Sequence, residues 1–133
     1  MQGAFLLLTV KALASGLLMD ENLFMYFDEF DLGFQLQQRG LRAIVDQRVR
    51  VWHKRDPHFS TPQIGYLMQR NRLYMVRKYG RWYHRAFYLL YSSFVELPAK
   101  TTVRALQGRK AFARACIAGH VDGLRGRMGP FTF

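Results

Sequence analysis

The feature that most restricts the fold is a helical pattern that fills the second half of this 133-residue chain. Thr61 and Pro62 supply a cap and a first helical position, because proline lacks an N–H that the first turn would leave unpaired. Gly80 and Pro98 interrupt the pattern, and repeated glycines after residue 118 end it. The predicted helices cover residues 61–79, 81–97 and 101–118. The second half is therefore expected to be a helical extension.

The first sixty residues predict strands around a single helix. Phe5 to Val10 is a continuous apolar run of strand length, and residues 41–45 and 49–53 resemble two short strands around a polar turn. A helix is expected to begin near Asp28, where acidic side chains meet unpaired N–H groups and the positive end of the dipole. Gly40 follows that helix as a stop signal. The whole chain is therefore predicted to be α+β. The expected domains are residues 1–60 and 61–133.

Charge divides the chain in a similar way. Residues 1–40 contain five acidic residues against two basic ones, whereas the remainder contains eighteen Lys and Arg against four acids. A basic tail is attracted to phosphate, either in nucleic acid or at an anionic membrane. No apolar run approaches the ~20 residues that a spanning helix needs. Cys116 is the only cysteine, so no intrachain disulfide is possible, which fits a reducing cytoplasm.

Several short motifs follow each other in a fixed order. They are Gly3-Ala4-Phe5, the stretch Gly16 to Leu32 with Asp20-Glu21 and Asp28-Glu29-Phe30-Asp31, then Arg39-Gly40, and a valine strand that ends in His53. This series resembles the second half of bacterial family-2 glycosyltransferases, particularly the rhamnosyltransferase-like enzymes. Further matches to the same family are Tyr66 with Arg70-Asn71-Arg72, and the tail from Gly119 to Arg127.

The resemblance implies a partial GT-A sheet remnant with a helical C-terminal extension. The implied activity is the inverting transfer of a sugar from a nucleotide-sugar donor to a glycan or lipid-linked acceptor, in the synthesis of cell-surface polysaccharide. Such an enzyme would be cytoplasmic and peripheral at the inner membrane surface. Its nucleotide-binding half is expected to be missing from this chain. Alone, the chain is therefore expected to be inactive, and either to self-associate or to need a partner carrying that half.

The resemblance also assigns a general base. Glu29 stands where the family has its catalytic aspartate, because the usual Glu-Asp pair is replaced here by Asp28-Glu29. A carboxylate at this position can accept the proton that the acceptor hydroxyl loses as it attacks the anomeric carbon. The exchange lengthens the side chain by one methylene, and catalytic geometry tolerates little displacement. Asp28 is therefore the alternative base.

The remaining assignments concern the metal and the acceptor. The family uses Mn²⁺ or Mg²⁺ to neutralise the departing diphosphate, and His53 is the implied metal ligand. The implied acceptor-binding residues are Asp20, Glu21 and Asp31. Without the resemblance, the acids from residue 28 onward read as a capping cluster, Asp20 and Glu21 as turn residues, and His53 as an ordinary hydrogen-bonding histidine.

Two non-catalytic functions remain open. Helices that mix Arg, Lys, Trp and Tyr with apolar residues are typical of a membrane-surface module. Basic and aromatic side chains together also suit a nucleic-acid-binding module. The second alternative leaves Asp28, Glu29 and Asp31 without a role, and no known nucleic-acid-binding signature appears. Nucleic acid is therefore not the expected partner.

Overall fold

The computed structural model describes residues 5–52 and 61–130, and every regular element within these ranges is helical. A π-helical turn, Ser92–Glu96, joins the fourth and fifth helices without a break in the helical path. The helices are α1 (Val10–Ala14), α2 (Asp28–Gln38), α3 (Pro62–Tyr79), α4 (Trp82–Tyr91), α5 (Leu97–Leu106) and α6 (Lys110–Arg125).

The predicted α+β fold, with its GT-A sheet remnant, is wrong, because the described residues contain no strand. The run from Phe5 to Thr9 is irregular, and residues 41–52 are irregular as well. Ile44 and Trp52 are 87% and 88% exposed. Apolar residues form a strand only when another strand pairs with their backbone, and the described part of the chain offers no such partner. His53, at the end of the last predicted strand, lies outside the described residues.

Two helix predictions are confirmed. Helix α2 begins at Asp28, although Phe27 takes the capping position and provides no side-chain cap. Helix α3 begins at Pro62, and the hydroxyl of Thr61 accepts a hydrogen bond from the backbone N–H of Ile64 at 3.4 Å. These two starts were predictable because local chemistry at the first turn determines them.

The predicted boundaries farther along the chain are wrong in three places, since the single helix predicted over residues 101–118 is in fact two helices, α5 and α6. Pro98 does not stop a helix but lies in the first turn of α5, where its missing N–H is tolerated. Gly119 does not end α6, which continues to Arg125. Between these two helices the chain turns at Gly108, whose φ is +76°. A glycine inside a helix costs only about 1 kcal/mol relative to alanine, and tertiary packing can outweigh that amount.

Helices α3 and α6 pack directly against each other and form the centre of the molecule. Leu67, Leu73, Ala115 and Cys116 are buried between and around them. A smaller apolar cluster joins α1 to α2 and includes Leu32. By contrast, neither α4 nor α5 contains a buried residue. Among the described residues, no helix is both long and apolar enough to cross a membrane.

Candidate active site

The acidic helix α2 follows a loop with an unusual backbone. Phe24, Tyr26 and Phe27 have φ angles of 59°, 66° and 71°. This left-handed region costs a residue with a side chain roughly 1–2 kcal/mol. Three such residues among the four before Asp28 persist only if the surrounding structure holds the loop in place.

The side chain of Asn71, in the middle of α3, makes several of the contacts that fix the loop before α2. Its amide nitrogen donates to the carbonyl oxygens of Leu23, Met25 and Tyr26 at 2.9, 2.8 and 3.0 Å. Asn71 is fully buried, and its hydrogen bond to Leu23 is buried as well. The contact fixes the loop against α3, and with it the start of α2.

Arg70, next to Asn71, holds the same loop from the other side. Its guanidinium donates to the carbonyl of Leu23 at 3.3 Å and to that of Asn22 at 3.4 Å. It also donates to the carbonyl of Gly129 at 2.7 Å and to the side-chain oxygen of Asn71 at 3.0 Å. Arg70 is only 1% exposed. The loop before α2, helix α3 and the chain after α6 therefore meet at one buried guanidinium.

Asp28 and Glu29 lie in the first turn of α2, immediately after this loop, and both are half-buried. Partial burial raises the pKa of Asp28 above its ordinary value, and the neighbouring charge of Glu29 raises it further. A carboxylate whose pKa is moved towards neutrality is a better proton acceptor at the start of a reaction and a better donor at its end.

Asp20 and Asp31 meet at the ammonium group of Lys78. The Nζ atom donates to Asp20 Oδ2 and to Asp31 Oδ1, each at 2.6 Å. Asp31 is fully buried and also accepts hydrogen bonds from Tyr79 at 2.7 Å and from Gln35 at 2.6 Å. A buried carboxylate requires such partners, because an unpaired one would lose its hydration without compensation. We call this cluster the Lys78 bridge.

The Lys78 bridge shifts the pKa values of Asp20, Lys78 and Tyr79. Partial burial raises the pKa of Asp20, but hydrogen bonds from Lys78, Tyr74 and Asn22 outweigh it and bring the pKa to about 2. Burial lowers the pKa of Lys78, but its two carboxylate partners outweigh that effect and raise it. Burial and the hydrogen bond to Asp31 raise the pKa of Tyr79 to about 12.

An open groove of about 440 Å³ lies beside the Lys78 bridge. Asp28 does not line it, but Asp28 and Gln35 are seven residues apart and share one face of α2. They are separated by roughly 10 Å along the helix axis. Polar groups that line the groove belong to Asp20, Gln35, Gln38, Arg39, Lys78 and Tyr79.

The structure therefore brings some predicted site residues together and separates others. Asp20 and Asp31 share a partner in Lys78, whereas Glu21 is exposed in the turn after Asp20. Within residues 5–52 and 61–130, no three His, Cys, Asp or Glu side chains converge on a position that could hold a metal ion. Two carboxylates do converge, at Asp20 and Asp31, but an ammonium group already lies against both. His53, the predicted ligand, is outside these ranges.

The sequence analysis missed the residues of α3 that organise this region. Asn71, Tyr74 and Lys78 are spaced at i, i+3 and i+7, so they share one face of α3. This row of polar residues could have indicated that α3 contacts the acidic residues between positions 20 and 31. Arg70 and Asn71 were recognised only as part of a family motif, and their role as a clamp on the loop before α2 is visible only in three dimensions.

A second buried polar cluster lies where α3, α6 and the π turn meet. Ser93 Oγ is 3.0 Å from His120 Nε2, and Gln69 Nε2 is 3.5 Å from His120 Nδ1. Lys100 donates to Gln69 Oε1, which leaves the Gln69 amide nitrogen to donate to Nδ1. The proton of a neutral imidazole then resides on Nε2 and points at Ser93. His120 is therefore arranged as a donor to the serine and not as its base.

Comparison with known proteins adds no assignment, since no protein-family model, no curated protein and no solved structure matches this chain.

Replacing Asp20 with asparagine is expected to lower the free energy of unfolding by up to about 2 kcal/mol at pH 7. The folded pKa of about 2 lies below the ordinary value of 3.8. The contribution is therefore present above the unfolded pKa and is lost as the pH falls towards 2. Urea unfolding across this pH range should show the two proteins converging in acid. The control is Glu21→Gln, an exposed carboxylate in the same turn; a difference that stays constant with pH would contradict the role of Lys78.

Proposed function

We propose that this chain supplies the acceptor side of an inverting glycosyltransferase of the rhamnosyltransferase-like type. The enzyme would transfer a sugar from a nucleotide-sugar donor to a glycan or lipid-linked acceptor in cell-surface polysaccharide synthesis. Support comes from the order of the sequence motifs, which is similar to that of family-2 enzymes. The sequence contains no Asp-x-Asp motif, so the donor nucleotide would be bound by a separate segment.

The observation that carries the proposal is the position of Asp28 and Glu29, which we call the acidic pair, at a helix start after a strained loop. Asp28 and Glu29 begin a helix after a loop in which three of the last four residues are left-handed, and Asn71 and Arg70 hold that strained loop from the neighbouring helix. Strained backbone is retained where the surrounding contacts impose it, and such sites are frequently functional. A simple capping cluster would not need this support, because acidic residues stabilise a first turn without it.

Either carboxylate can act as the base in this arrangement. The attacking acceptor hydroxyl must lose a proton, and a carboxylate within hydrogen-bonding distance can accept it. Glu29 holds the family position, whereas Asp28 has the raised pKa that suits proton transfer. The groove beside Asp20 lies on the same side of α2 as Asp28, and its amide, carboxylate, ammonium and phenol groups are those that bind sugar hydroxyls. We therefore assign to this groove the part of the acceptor that lies roughly 10 Å along α2 from the attacking hydroxyl.

A divalent ion, Mn²⁺ or Mg²⁺, would supply charge neutralisation for the departing diphosphate. His53 is the residue of this chain proposed to contribute to it, with the other ligands provided by the donor-binding segment. The complete enzyme is proposed to work at the cytoplasmic surface of the inner membrane, where lipid-linked acceptors are located. No described helix could span that membrane, so a peripheral attachment is proposed.

In the enzyme completed with a donor-binding half, Glu29→Gln is expected to lower turnover at least ~100-fold, the usual scale for loss of a general base. The amide keeps the shape of the side chain but cannot take up the proton. Steady-state sugar transfer, measured over a range of acceptor concentrations, should show the loss in turnover and not in acceptor KM. Asp28→Asn should have a smaller effect.

The matched control is Asp46→Asn, which removes an exposed carboxylate that does not line the groove and should leave turnover unchanged. If Asp28→Asn abolishes transfer while Glu29→Gln does not, the two carboxylates exchange roles. If both variants keep near-normal turnover, the proposed site is wrong. Circular dichroism of each variant separates these outcomes from a failure to fold.

A further inference from the structure

The continuous helix formed by α4, the π turn and α5 presents a row of apolar side chains that the protein does not use in its own core. Tyr83, Phe87, Leu90 and Phe94 are 42%, 70%, 59% and 74% exposed. Their spacing of four, three and four residues places them on one helical face. We call this row the aromatic stripe. Trp82, at the start of the same helix, is 78% exposed.

The part of the chain that carries the aromatic stripe is strongly basic. Residues 81–130 contain nine Lys and Arg but only two acidic residues, Glu96 and Asp122. Both acids are paired inside the fold: Glu96 binds Arg72, and Asp122 accepts a hydrogen bond from Tyr66. The positive charges therefore greatly outnumber the negative ones that could offset them, and they create a field that attracts anions.

We propose that the aromatic stripe docks the protein on an anionic lipid surface, with α4 and α5 lying in the plane of the membrane. Rings with polar tips and aliphatic groups enter the interfacial layer, while surrounding Lys and Arg contact lipid phosphates. This inference rests on the peripheral membrane location in the proposed function, but not on catalysis.

The positive charge of this region favours a lipid surface, and not a second copy of the chain, as the binding partner of the aromatic stripe. A symmetric dimer through the aromatic stripe would bring two equally basic surfaces together, and like charges at an interface are unfavourable. Lipid phosphate instead supplies the opposite charge beside the apolar layer that the stripe requires. None of the four residues of the aromatic stripe lines the groove beside the Lys78 bridge.

The test uses the intact chain with Trp52→Phe, so that Trp82 is its only tryptophan. Vesicles of phosphatidylglycerol and phosphatidylcholine should bind it and shift the Trp82 emission to the blue, whereas pure phosphatidylcholine should bind it much more weakly. Added salt should weaken binding. The triple variant Phe87→Ser, Leu90→Ser, Phe94→Ser should bind at least ~10-fold more weakly, since it removes three apolar side chains that would otherwise enter the interfacial layer.

The control triple variant is Leu7→Ser, Leu18→Ser, Ile44→Ser, which removes three exposed apolar side chains from the first half of the chain. It should bind vesicles like the parent. Equal losses in both triple variants, or no loss in the stripe variant, would overturn the proposal. So would a dimer in light scattering that the stripe variant abolishes, or a blue shift of Trp82 produced by RNA instead of vesicles.

A failed vesicle test remains distinguishable from a failed catalytic proposal. Transfer to a water-soluble acceptor by the completed enzyme does not require lipid, so the stripe variant should retain it. If the parent protein binds vesicles, and the stripe variant loses vesicle binding but keeps normal sugar transfer, both proposals are supported. Normal transfer in a protein that never binds vesicles rejects the docking surface alone.

Discussion

Replacing Gly119 with alanine is expected to lower the free energy of unfolding by about 3 kcal/mol, at the upper end of the effects of overpacking. A Cβ atom at this position would lie 2.2 Å from the carbonyl oxygen of Tyr66 and 2.9 Å from its Cα. Both contacts are with backbone, so no side chain can rotate away. The α3–α6 pair would have to separate, and the core around Leu67 and Ala115 would loosen with it. Thermal unfolding should register a drop of roughly 10 °C.

Gly33→Ala is the matched control for Gly119→Ala. Gly33 also lies inside a helix, α2, but a Cβ atom there would meet nothing within 4 Å. Alanine is the better helix former by about 1 kcal/mol, so this variant should be as stable as the wild type or more so. If Gly119→Ala is equally well tolerated, the close approach of α6 to α3 described here is incorrect.

Asn71→Leu is expected to be comparably damaging, with a loss of about 3 kcal/mol, because three backbone carbonyls lose a donor and Arg70 loses its acceptor on Asn71. Leucine has a similar volume but cannot donate to the carbonyls of Leu23, Met25 and Tyr26. The left-handed residues before α2 would then lose the contacts that hold them. Denaturant unfolding measures the total loss. Hydrogen exchange should show the largest change in residues 22–30.

The control for Asn71→Leu is Gln63→Leu, an exposed polar residue on the same helix. It should change stability by less than about 0.5 kcal/mol, the usual range for surface substitutions. An Asn71→Leu protein with normal stability and normal exchange in residues 22–30 would show that the loop holds its conformation without α3. The support that we attribute to Asn71 in presenting Asp28 and Glu29 would then be withdrawn.

The helical elements could be predicted where local chemistry decides them. Thr61 and Pro62 start α3, and the acidic turn at Asp28 starts α2, because caps and first turns depend on neighbouring residues. The strands could not be predicted in the same way. Phe5 to Val10 has the composition of a buried strand, but pairing with another strand is a property of the whole fold. The continuation of α6 past Gly119 likewise depends on tertiary packing, because α3 approaches α6 closely at this residue.

The candidate site could be predicted only in part. Asp28 and Glu29 were found from their pattern, and the structure places them at a helix start after a strained loop. The pairing of Asp20 with Asp31 through Lys78 was not predictable, because Lys78 lies 47 residues after Asp31 and shares no motif with either carboxylate. Buried polar contacts of this kind follow from the meeting of elements, and the chain order does not reveal which elements meet.

The clamp that Arg70 and Asn71 form on the loop before α2 has a consequence for the interpretation of mutants. The acidic pair occupies its position only while α3 is in place, and α3 is held by α6. Disturbance of that packing far from Glu29 would therefore lower turnover without touching any reacting group. A loss of rate in this protein can be attributed to chemistry only after the fraction of folded molecules has been measured in the same sample and at the same temperature.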